Sequence, residues 1–180
     1  EVRETLAGVK KIVTRVEAIR TELSLFTGVN TDSGGGSDAN LRIYPSPERF
    51  YELGVSTTKL GPTKEKKTVT ITNGTSSEEI QKVQDKDTFT FNVQLGRRIH
   101  DWAFRGGLIE STGGFGVDYI VDVWGTKFSL EAYDLTREAQ GVNMRFSSEI
   151  QMWNVFYGKA SLEDGLYNTR SGTISAGLRF

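Results

Sequence analysis

Residues able to do chemistry are few in this chain of 180 residues. Cysteine is absent, which excludes disulfides, thiolate metal sites and a cysteine nucleophile. The single histidine, His100, cannot build a histidine metal site without carboxylate help. It stands in a two-residue connection, His100-Asp101, beside Trp102, and reads as an interfacial polar residue. An acyl-transferring barrel enzyme would need His and Ser paired within one wall, and a rim position for His100 argues against that. Ser111-Thr-Gly-Gly114 is glycine-rich but lacks a P-loop lysine, so it reads as turn chemistry. Asp118 and Asp122 share a strand face, and arginine partners suit them better than a metal. No catalytic residue, cofactor or metal is therefore expected. A net charge of −1 and a pI near 6.0 leave no electrostatic case for nucleic acid.

Charge recurs instead with the period of a strand. From Leu41 onward, residues alternate between an apolar and a polar face. The polar face carries Arg42, Arg98, Arg105, Arg145 and Arg179 against Glu52, Asp118, Asp122, Glu131 and Glu149. A solvated sheet has no reason to balance its charges. Inside a narrow barrel every charge needs a partner, and arginine–carboxylate forks supply one. Arg98, Arg105, Asp118, Asp122, Glu131, Arg145, Glu149 and Arg179 are the predicted lumen charges.

The elements that must position these groups follow in order. Residues 1–28 read as an amphipathic helix ending near Gly28. Leu6, Val9, Val13, Val16 and Leu23 form a heptad seam, interrupted only by Arg20, that Ile12, Ile19 and Phe26 widen. Residues 29–40 are rich in Gly, Ser and Asp and predict a flexible linker. Residues 41–180 predict an antiparallel meander. Its runs are 41–44, 50–57, 66–72, 88–99, 102–109, 115–123, 127–134, 142–152, 153–162 and 171–180, with 75–86 a polar loop. The expected fold is mainly β: an up-and-down barrel of about 8–10 strands, of the outer-membrane type, preceded by one long helix. The preferred count is ten.

Three features select lipid rather than water for the apolar face. The charge balance is one. Strand lengths near the roughly 9–11 residues of a tilted spanning strand are another. The third is that Trp102, Trp124, Trp153 and Phe180 all fall at the short-turn end of the meander, as an interfacial aromatic girdle would. No run of about 18 apolar residues predicts a membrane-spanning helix. With neither an initiator Met nor a signal peptide, the chain is expected to be a fragment or a processed product.

The stretches Leu41–Val55 (LRIYPSPERFYELGV), Arg105–Asp118 (RGGLIESTGGFGVD) and Ala176–Phe180 (AGLRF) resemble segments of MlaD-like proteins of the mammalian cell entry (MCE) family. The resemblance implies an envelope lipid-transport component with an upstream MCE domain, an inner-membrane transporter and a hexameric homo-oligomer. Its partners would be phospholipid or another hydrophobic molecule, and the outer membrane. Helices in the periplasm would assemble into an apolar conduit lined by Leu6, Val9, Ile12, Val13, Val16, Ile19, Leu23 and Phe26, which the barrel docks to the outer membrane. Two alternatives stand beside it: a purely structural outer-membrane anchor, and a soluble periplasmic β-domain that binds a hydrophobic ligand.

Overall fold

A computed structural model describes residues 19–31, 34–72, 75–135, 142–163 and 171–180, with backbone alone from 58 to 88. Ten antiparallel strands run in chain order: β1 (Arg20–Asn30), β2 (Gly34–Ser46), β3 (Arg49–Thr72), β4 (Thr75–Ile99), β5 (Trp102–Ile109), β6 (Thr112–Val121), β7 (Thr126–Tyr133), β8 (Asn143–Trp153), β9 (Phe156–Glu163) and β10 (Ser171–Arg179). Each pairs with its sequence neighbours, and β1 pairs with β10, so the sheet closes into a barrel with no free edge. The barrel expectation and its count of ten are met, although the partition differs from the one read in the sequence.

That difference begins at the first strand. Residues 20–28, read as the end of a helix, are strand, and no long helix occurs among the described residues. Leu23 and Phe26, three apart, would share a helical face. In β1 they take opposite faces, Phe26 buried inside and Leu23 exposed outside. The seam positions Leu6, Val9, Ile12, Val13 and Val16 lie outside the described residues, and Ile19 precedes β1, exposed. The supposed linker is mostly β2, in register with β1 from Asn30↔Gly34 to Arg20↔Tyr44. A ladder hydrogen-bonded on both sides holds its Gly/Ser/Asp residues extended in spite of weak strand propensity.

At the other end of the tally, runs 50–57 and 66–72 are one strand, and the polar segment 75–86 belongs to β4. The β3–β4 pairing continues from Thr58↔Thr88 to Thr72↔Thr75, whereas β2 leaves β3 at Gly36↔Thr58. The hairpin thus runs on as a two-stranded ribbon past the rim. At one end of the barrel every connection is short, and the two longest, 134–142 and 164–170, are both at the other.

The closing seam sets a steric limit. Gly177 faces Phe26 across it, and a Cβ there would run into the Leu25 carbonyl oxygen and the Phe26 ring. Gly177→Val is expected to cost about 1–3 kcal/mol, the usual penalty of overpacking. A lower urea midpoint would show it; an unchanged midpoint would mean that the seam relaxes freely.

Candidate functional site: a charge-filled lumen inside an apolar wall

Alternation along each strand separates two surfaces. Inward positions carry Ser24, Glu52, Thr90, Asn92, Gln94, Arg105, Asp118, Ser129, Glu131, Ser147, Glu149 and Ser161, all buried. Asp118 is 0% exposed and Gln94 2%. Burying so many polar groups is tolerable only when each is paired. The pairing is extensive.

Arg105 is its centre. Its Nη2 donates to Asp118 Oδ1 at 3.0 Å and its Nη1 to Gln94 Oε1 at 2.9 Å. The same Nη1 lies 2.7 Å from Glu131 Oε1. Gln94 passes the network on, its Nε2 donating to Glu52 Oε1 at 3.2 Å. Glu52 in turn binds Arg42, whose guanidinium also reaches Asp118 at 3.4 Å and lies over the Phe50 ring. These partners come from β2 to β7, so the network ties half of the barrel's circumference together.

Arg145 anchors the loop end. It contacts Glu131 at 3.2 Å, Glu163 at 2.7 Å, the Tyr133 hydroxyl at 2.9 Å, and Glu110. Glu110 sits in the β5–β6 turn with a left-handed backbone. Burial pushes its carboxyl above the usual range against the pull of Arg145, and Glu163 adds to the rise. A third group closes the β7–β1 side. Lys127 lies 3.0 Å from Glu149, Arg179 binds Glu149 and lies 3.3 Å from Glu22, and Lys159 lies 3.4 Å from Asp38.

Of the predicted lumen charges, Arg105, Asp118, Glu131, Arg145, Glu149 and Arg179 are therefore inside. Arg98 and Asp122 are not: they pair at 3.0 Å on the exposed short-turn rim. Among the lumen groups left out of that prediction, Lys127 had a legible signal, opposite in parity to Phe128 and Leu130. Lys159 had none, because the run 153–162 hides a reversal at residues 154–155. The space left among these side chains is about 70 Å³, enough for a few waters and not for a lipid.

The outward surface is the inverse. Leu23, Leu25, Leu53, Val55, Phe89, Phe91, Val93, Leu95, Phe104, Leu108, Phe115, Leu130, Phe146, Ile150, Leu162 and Ile174 are all exposed. Among residues with described side chains, the charged outward groups on the wall are Arg49 and Arg97, cross-strand neighbours at the short-turn rim, where Arg97 pairs with Glu48. Trp102, Trp124, Trp153 and Phe180 stand exposed at that same end, Trp102 packed on Tyr119 with ring centroids 4.8 Å apart. His100 is there too, in its exposed turn. No group of three or more metal-capable side chains occurs among the described residues.

Comparison with curated proteins and with solved structures finds no match. The family model that does match spans residues 21–180, nearly the whole chain, and is described as a lipocalin-like domain. It overturns the MCE resemblance of Leu41–Val55, Arg105–Asp118 and Ala176–Phe180, whose short motifs lie in strands and turns of the barrel. With that resemblance go the hexamer, the upstream MCE domain and the inner-membrane transporter. The coiled-coil seam also fails where it can be seen, because Leu23 and Phe26 belong to a strand. Closed antiparallel topology and the family match agree, and the chain belongs to the lipocalin-like domain family.

Proposed function

We propose that this barrel engages hydrophobic molecules with its outer wall, as a bilayer-embedded anchor of the outer membrane whose lumen is sealed by ion pairs. The observation that carries the reading is the inversion of the two faces. A lipocalin cup that holds one small apolar ligand keeps it inside the barrel. Here the inside is charged, paired and nearly full, and the outside offers a continuous apolar belt. Monomeric proteins in water rarely expose apolar patches beyond a few hundred Å², whereas lipid-facing barrels alternate apolar-out and polar-in. Tryptophans on one rim fit a headgroup boundary, with the short turns on the periplasmic side. Closure of the sheet through β1 and β10 leaves no open strand edge toward lipid. No reaction belongs to this reading, since it gives no nucleophile a base.

The family match favours a second reading, a water-soluble barrel that binds a hydrophobic ligand. Fractionation separates the two. The anchor should stay with membranes through a carbonate wash, need detergent for extraction, and migrate differently on a gel before and after boiling. Release by carbonate without detergent would leave the soluble reading standing alone.

A further inference from the structure

The apolar wall is not uniform. Over β8, β9, β10 and β1 the outward positions Ser148, Ala160 and Gly172 are small, while Phe146, Leu162, Ile174 and Val29 rise around them. Together they line an open groove of about 600 Å³. That volume is within the roughly 300–1,000 Å³ common to small-molecule sites. The low floor is not forced by packing. A Cβ on Gly172 would sit 3.7 Å from Leu162 Cδ2 and 3.9 Å from Thr31 Cγ2, ordinary contact distances. The groove ends at the long-loop rim, where Asn30, Thr31 and Thr173 are polar. Thr31 Oγ1 accepts the Gly172 N–H at 3.1 Å, and Asn30 Nδ2 donates to Thr173 Oγ1 at 2.8 Å.

We propose that this groove seats one hydrocarbon chain of a bilayer lipid, its polar end toward Asn30 and Thr31. The inference rests on the membrane reading, because the groove is continuous with the apolar wall and open toward whatever surrounds it. A chain lying against a convex wall touches it along one line. Between Phe146, Leu162, Ile174 and Val29 it is contacted on three sides, so dispersion and burial both grow with no polar group left unpaired. The lumen offers no such place.

Photolabelling tests it. The protein is reconstituted in phosphatidylethanolamine/phosphatidylglycerol vesicles doped with a phosphatidylcholine that carries a diazirine in its acyl chain, and adducts are mapped by mass spectrometry. Adducts in residues 142–163 and 171–180 should exceed those in 102–121 by about fivefold, a preference of about 1 kcal/mol. The double variant Ala160→Leu/Gly172→Leu should remove most of that excess and leave 102–121 unchanged. Retained heat-modifiable migration certifies its folding, and Ser148→Leu, which fills the groove from another strand, should act in the same direction. Even labelling around the wall, or labelling indifferent to these variants, overturns the groove and spares the anchor. No labelling of any strand overturns both.

Discussion

Arg105→Leu is expected to destabilise the barrel by about 3–5 kcal/mol, the usual cost of removing one partner from a buried ion pair. The guanidinium is 4% exposed and holds two carboxylates, Asp118 and Glu131, together with the Gln94 carbonyl. Asp118 would keep only its 3.4 Å contact to Arg42, and Glu131 its 3.2 Å contact to Arg145. Water cannot replace the lost charge, since the neighbouring space is small and its other cations are already paired with carboxylates. Neutralising the stranded carboxylates should reverse most of the loss. The triple variant Arg105→Leu/Asp118→Asn/Glu131→Gln is therefore expected to lie much closer to the parent than the single one. Urea unfolding in detergent micelles measures both. If the single variant fell within about 1 kcal/mol of the parent, as an exposed pair would, the lumen would have to be wet and the sealed-barrel reading would fail.

The lumen was legible because two facts coincide in one strand. Arg105 and Phe104 are adjacent, and so are Asp118 and Val117; period-two alternation alone puts each pair on opposite faces. Arginine against carboxylate in equal measure then identified the polar face as the enclosed one. Arg98 and Asp122 obey the same parity yet lie outside, because parity carries no height along the barrel axis and both fall at the rim. The N-terminal strand was missed for a different reason. Residues 6–23 repeat apolar side chains at steps of three and four, and that period, interrupted only by Arg20, runs into Leu23 and Phe26. The buried partners of β1, Ser24 and Phe26, become visible only when Ser175, Gly177 and Arg179 of β10 are known to lie beside them. Strand pairing between the two ends of the chain is a long-range fact, and no local window contains it. The count of ten came out right because one strand was split in two and another was read as helix. The motifs that suggested an MCE protein misled because glycine-rich turns flanked by alternating residues arise in any meander.

Leu130→Arg decides between lipid and water at the outer wall. Leu130 is midway along β7, 47% exposed, between Val117 and Phe146 on the neighbouring strands. In a bilayer an arginine near the midplane of a barrel wall costs about 2–4 kcal/mol. On a water-facing wall the same replacement should fall within about 0.5 kcal/mol, as surface changes usually do. Unfolding of the reconstituted barrel from vesicles gives the first number, and a second variant gives the scale. Tyr119→Arg, level with the tryptophan rim through its contact with Trp102, should cost only about 0–1 kcal/mol because an interfacial arginine reaches the headgroups. A large loss at Leu130 with a small one at Tyr119 is a depth profile, which simple damage to a folded wall would not produce. Equal losses at both positions would point to packing, and negligible losses at both would place the apolar belt in water. In that last case the family's soluble ligand-binding reading would prevail, and the belt would need a protein partner to cover it. The lumen network does not decide the matter, because its ion pairs are enclosed whether the wall meets lipid or water. Only the outward residues carry the difference.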